Sequence, residues 1–232
     1  MGWKQFYKIS QENFKSMWER SEKWGDLIPV RATVDSTVYY GAGLITAPPP
    51  GRYDYGFSPK IQHPAGFNTR ITVKLFFYSD ANEPANSASN LHIVFYTDGD
   101  TAKDEQGYDA HGFSVLLRES PPSNIIVFYE FRVEQSGNKI VWYVDGEKIG
   151  EATLTGALQS FKLLITNFQY TAYSSGLQSG SHGIVIYEVV GEYYDQLEDI
   201  FNMMTQIMFI MMFIVIGIMF VRMIFKPIRG RE

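Results

Sequence analysis

The chain has 232 residues, 45% hydrophobic, 16% aromatic and 19% charged, enough for one sizeable globular domain and an additional element. Its net charge is −5, and because phosphate binding needs a basic face, nucleic acid is excluded as a partner. Cysteine is absent, which excludes disulfides, thiolate catalysis and Cys-ligated zinc.

The N-terminal Met1-Gly-Trp-Lys-Gln-Phe-Tyr-Lys8 has no apolar stretch of the signal-peptide kind, and Phe6 stands where a myristoylation signal carries Ser or Thr. Residues 1–30 read as a polar segment, helical in part over Ser10–Lys23, expected to pack on the domain that follows. That domain, residues 31–192, strings short apolar or alternating runs between turn signals. Strands are expected at Thr37–Ile45, Thr69–Phe77, Leu91–Tyr96, Gly112–Leu117, Ile125–Glu134, Lys139–Val144, Phe161–Asn167 and Gly183–Val190. No helices alternate with them, which disfavours a parallel sheet. The expected fold class is therefore all-β: an antiparallel two-sheet β-sandwich, or jelly roll. Lysine and arginine are sparse along several strands, so faces rich in Tyr, Phe and Ile are expected.

Three segments carry candidate chemistry. The aromatic loop Pro48–Phe57 offers Tyr53, Tyr55 and Phe57, which with Tyr170 and Tyr173 can form a stacking surface for a glycan or a protein hot spot. Packing over the rim of the sandwich is the plainer use of the same rings. The loop Asp98–Asp109 gathers the hard oxygens of Asp98, Asp100, Asp104, Glu105 and Asp109, the donor type that calcium takes. It departs from an EF-hand at Ala102 and Asp109, and a solvated polar loop is the alternative. The strand Val127–Glu134 places Glu130 and Glu134 on one face with Arg132 between them. A cation thus interrupts the carboxylate pair that glycoside hydrolysis requires, and no enzyme is expected. The histidines His63, His92, His111 and His182 are scattered without metal-ligand spacing.

The segment Phe131–Gly150 encodes two hairpins, turned by Ser136-Gly-Asn138 and by Asp145-Gly146, with Ile140, Trp142 and Val144 on one face of the middle strand. This ribbon resembles the concanavalin A-like lectin/glucanase superfamily, including laminin-G-like and L-type lectin-like domains. Asp109–Leu117, Asn124–Phe131 and Gly183–Val190 look similar to further strands of that fold, so the resemblance covers about residues 90–190. It implies a jelly roll whose members often bind sugars on one face or in its loops, with Asp109 as a sugar-binding aspartate.

From Ile200 to Val221 no residue is charged, and Ile207–Val221, including Phe213 and Gly217, is wholly apolar. At about 1.5 Å per residue the run covers the roughly 30 Å hydrocarbon core of a bilayer. Residues 193–225 are read as a juxtamembrane and transmembrane helix, with Tyr193 and Tyr194 at its interface and 226–232 as a basic tail. Acidic residues precede the run, and Arg222, Lys226, Arg229 and Arg231 follow it. The positive-inside rule places the tail inside and the β domain on the cell surface or virion exterior. The lack of a visible signal leaves three explanations open: a signal already removed, a cytosolic domain on a tail anchor, or a viral membrane. The expected function is that of a membrane-anchored structural subunit, in contact with the lipid bilayer and with other subunits of a surface assembly. A lectin-like module that recognises a glycan or receptor is the alternative, and a degenerate glycoside hydrolase comes third.

Overall fold

The computed structural model describes residues 2–48, 51–79, 87–97, 113–119, 125–169 and 181–224. Asp98, Asp100, Asp104, Glu105, Asp109, His111, Tyr170, Tyr173, Lys226, Arg229 and Arg231 lie outside the described residues. In chain order the elements are β1 (Trp3–Ile9), α1 (Gln11–Arg20), β2 (Ile28–Val34), β3 (Thr37–Thr46), β4 (Tyr53–Phe57), β5 (Ile61–Gln62), β6 (Asn68–Ser79) and β7 (Ser87–Thr97). They continue with β8 (Phe113–Glu119), β9 (Ile125–Ser136), β10 (Lys139–Val144), β11 (Glu147–Thr153), β12 (Leu158–Gln169), β13 (His182–Tyr194) and α2 (Gln196–Ile224).

Short turns with left-handed backbones fix the hairpins. Asp35 (φ 47°) and Ser36 (φ 66°) join β2 to β3, and Asp145 (φ 49°) and Gly146 (φ 85°) join β10 to β11. Two consecutive positive φ values are what a tight hairpin with right-handed strand twist demands, and Asp-Gly supplies them at little strain. Helix α1 begins at Ser10, whose N–H donates to Asn13 Oδ1 at 3.2 Å, and ends at Ser21 in the left-handed region (φ 57°).

The strands form two antiparallel sheets. One runs β11-β10-β9-β6-β13-β3-β2, with β1 also on β13; the other runs β4-β12-β7-β8, with β5 on β12. Their inner faces meet in a single core. Ile71, Val73, Leu75, Phe77, Phe131, Val133, Ile184 and Ile186 of the first sheet face Leu91, Ile93, Phe95, Phe161, Leu163 and Ile165 of the second. Helix α1 and the turn after it add Phe14, Trp24 and Leu27, with the Phe14 and Trp24 rings edge-on at 5.4 Å. Burying each such ring contributes about 1.5–3 kcal/mol. The edge strand β11 carries Lys148 and Glu151, with Lys139 of β10 beside them. The two lysines hold the Glu151 carboxyl down to about 2, and charge of this kind guards a sheet edge against pairing with another chain.

The eight strands expected from the sequence are all present, most of them extended by a few residues; β8 starts at Phe113, and Gly112 lies outside the described residues. Strands β1, β2, β4 and β5 come in addition, as does β11, the far arm of the hairpin turned by Asp145-Gly146, and β4 is a correction: from Tyr53 on, the expected aromatic loop is a strand paired with β12.

The chain divides into two units, Lys4–Tyr193 and the pair of ends Met1–Trp3 with Tyr194–Glu232. In the second unit α2 is exposed along Ile200–Ile224, and it is long and apolar enough to cross a membrane. Its one hydroxyl, Thr205, turns its O–H back to Phe201 O at 2.8 Å, so this polar group needs no partner outside the helix.

Candidate functional site

Because residues directly opposite in a sheet share a face, the register of the five-stranded sheet defines what its outer surface presents. Tyr53 lies opposite Phe168, and Phe168 opposite Ala88. Tyr55, Thr166 and Asn90 make the next row, and Phe57, Leu164 and His92 the one after. The rows repeat at about 7 Å along the strands. The inward alternates Leu163, Ile165, Leu91 and Ile93 fill the core, which is why this set faces outward.

Two tyrosines dominate the surface: Tyr53 is 54% and Tyr55 51% exposed. The Tyr53 ring stacks on Phe168, centroids 4.2 Å apart and planes 26° from parallel, so its position is fixed from below. Tyr55 sits edge-on to Phe57 at 6.2 Å. Beside them Asn90 Nδ2 donates to Thr166 Oγ1 at 3.0 Å, while the buried Asn90 Oδ1 has no partner among the described residues. Two cations flank the rings, Lys162 Nζ at 5.4 Å from the Phe57 centroid and Lys60 Nζ at 4.5 Å from that of Tyr96. Val94, Tyr96 and Leu164 form a small second apolar cluster on this face, with Phe57 against it. Burial drives the His92 pKa down to about 4, so this imidazole is neutral at pH 7. The arrangement is an aromatic shelf with amide, hydroxyl and ammonium groups at its margin. It can stack on an apolar ring face and hydrogen-bond the groups around that ring.

The structure thus brings together Tyr53, Tyr55 and Phe57 of the sequence candidates. Phe168, Thr166, Asn90, Lys60 and Lys162 were not foreseen as their neighbours. The alternation Lys162-Leu164-Thr166-Phe168 within β12 was the available signal, since the intervening residues are all apolar or buried.

The outer face of the larger sheet is different. Arg70 binds Glu192 at 2.8 Å, Lys74 binds Glu188 at 2.8 Å, and Arg132 lies 3.4 Å from Glu134 and over the Tyr143 ring at 4.6 Å. Lys74 also stands opposite Glu130 in the register. Arg70, Lys74, Glu130, Arg132, Glu188 and Glu192 line a shallow depression of about 310 Å³. Cations are few even on these strands, Arg70 and Lys74 on β6 and Arg132 on β9. Next to this ladder Tyr39, Phe76, Phe128 and Tyr187 pack ring on ring at 5.0–6.3 Å. Among the described residues no group of three or more His, Asp or Glu side chains is placed to hold a metal ion. His63 instead bonds Thr69 Oγ1 (2.9 Å) and Gln135 Oε1 (3.3 Å) in a buried network.

No family model matches the chain, and no curated protein matches it in sequence. Among solved structures it is similar to the carbohydrate recognition domain of Emp47p, at TM-score 0.47 and 8% identity over 83% of this chain and 97% of that one. It is similar also to the catalytic domain of an endo-1,3-β-glucanase (laminarinase) from Thermotoga petrophila, at TM-score 0.41 and 12% identity over 84% and 99%. A sialidase matches at TM-score 0.40 and 14% identity over 75% of this chain, which spans 16% of the sialidase.

Proposed function

We propose that this chain is a membrane-anchored, non-enzymatic binding module that holds glycans on the outer face of its five-stranded sheet. The observation that carries the reading is the exposed pair Tyr53 and Tyr55, with Tyr53 pre-stacked on Phe168. Pre-stacking removes the ordering cost that a free ring would incur on binding. A pyranose has apolar C–H faces and a polar edge, which matches a shelf of rings bordered by the Lys60 and Lys162 ammonium groups. Helix α2 anchors the domain by spanning the bilayer, and the basic residues that follow it set the tail inside.

The test is a glycan array probed with the full chain in lipid nanodiscs. Tyr53→Ala and Tyr55→Ala together should weaken a bound sugar about 30-fold, roughly 2 kcal/mol from two lost stacking contacts. Tyr143→Ala, on the other sheet, should leave binding unchanged. Binding indifferent to both tyrosines sinks the assignment of the site.

A second reading, a structural subunit of a surface assembly, draws on the edge strand β2. Ile28 on this strand is 43% exposed, and Trp18 of α1 is 41% exposed under the Arg31 guanidinium. The same samples test it: no sugar bound, with regular oligomers in the bilayer, would favour the subunit.

A further inference from the structure

Trp3, the first residue of β1, groups with the unit that begins at Tyr194. Its indole packs on the Tyr194 phenol, ring centroids 5.7 Å apart at 59°. Tyr194 ends β13, Asp195 alone intervenes, and α2 starts at Gln196. The apolar stretch runs Ile200–Ile224, about 37 Å at 1.5 Å per residue and so slightly longer than a hydrocarbon core of roughly 30 Å. Of the six steps from Tyr194 to Ile200, four lie in α2 and rise about 6 Å, and the two before it add at most about 7 Å. The headgroup layer of one leaflet is roughly 5–8 Å thick. The ring pair is therefore set back from the apolar stretch by about one headgroup layer.

Both rings suit that depth. Each has an apolar body and a polar N–H or O–H tip, the combination enriched at membrane–water interfaces. The N-terminus also leaves room there: a Cβ built on Gly2 would meet no atom within 4 Å. We infer that Trp3 and Tyr194 form an aromatic clamp seated in the phospholipid headgroup layer, so that the N-terminal segment is a second point of contact with the bilayer. The inference rests on α2 spanning the membrane.

The experiment uses the full chain in phosphatidylcholine vesicles, as wild type and Trp3→Phe, with nitroxide lipids labelled either at the headgroup or deep in the acyl chain. The emission lost in Trp3→Phe isolates Trp3 from Trp18, Trp24 and Trp142. Headgroup nitroxide should quench that component about two-fold or more over the deep label, as interfacial placement requires. Because the chain lacks cysteine, Gly2→Cys carrying a fluorophore gives a second reading that leaves Trp3 in place, with the same ordering of quenchers expected. Vesicle flotation after an alkaline wash separates the failures. A chain that does not float overturns the membrane reading and this inference with it. A chain that floats, with both probes unquenched or quenched more by the deep label, overturns the clamp alone.

Discussion

Asn167 lies on the inner face of β12 with no exposure to solvent. Its Nδ2 amide reaches Leu44 O at 3.2 Å, Thr46 Oγ1 at 3.0 Å and His182 O at 3.0 Å. Those acceptors belong to β3 and β13, so one side chain of the smaller sheet ties it to two strands of the larger. Asn167→Ala removes the donor and leaves a small void. Two or three acceptors losing a partner at about 1 kcal/mol each, with the void added, come to about 3 kcal/mol. For a domain of this size that lowers the melting temperature by about 6–12 °C, followed by tryptophan emission of the full chain in detergent micelles. Asn167→Asp is the sharper variant, since it aims a buried carboxylate at three oxygens and should melt below the alanine variant at pH 7. Burial and those oxygens raise its folded pKa above the unfolded value of about 3.9. The penalty is therefore full at neutral pH and is relieved as pH falls through the folded pKa, where an O–H becomes available to donate. An alanine variant melting within about 2 °C of wild type, or an aspartate variant no worse than alanine at pH 7, would refute the tie, each being less than one lost hydrogen bond predicts.

Two further outcomes follow from the same packing. The pKa of His92 falls to about 4 through burial, whereas the unfolded imidazole titrates near 6.5. The unfolded chain thus binds the extra proton in that window: stability is whole above about pH 6.5 and declines as pH falls toward 4. Denaturant titrations at pH 7 and 4.5 should show His92→Gln losing about 2–3 kcal/mol less than wild type between them; equal losses would contradict the assignment. Gly183 faces the Leu44 carbonyl so closely that a methyl group would run into backbone. Gly183→Ala should then cost more than about 3 kcal/mol or abolish folding, while Gly217→Ala, with nothing within 4 Å, leaves the yield of folded chain unchanged. Equal yields from the two glycine variants would refute the steric reading.

What the sequence makes legible is what local chemistry decides. The Asp145-Gly146 turn announces itself because few residue pairs adopt two positive φ values, and the Ile140-Trp142-Val144 face follows from it by simple alternation. Helix α2 is readable because a bilayer requires an uncharged run that a soluble core does not. Strand β4 was hidden because Tyr53-Asp-Tyr-Gly-Phe57 follows a Pro- and Gly-rich stretch whose turn composition outweighs a five-residue alternation. The shelf itself was half legible. Tyr53 and Tyr55 stand out as loop-like aromatics, but Phe168 reaches Tyr53 from more than a hundred residues away, through a pairing that no local pattern encodes. The same holds for Asn167, whose reason for being polar in a strand of buried apolar residues lies 121–123 residues upstream. The cation ladder of Arg70, Lys74 and Arg132 was missed because each strand carries only one or two of its members.

The single residue between β13 and α2 has a mechanical consequence. With no slack to take up, tension on the helix passes straight into a strand flanked by β6 on one side and by β3 and β1 on the other. Drawn along its length, such a strand loads its hydrogen bonds together instead of unzipping them singly. Force applied along that strand is thus shared across the middle of the larger sheet.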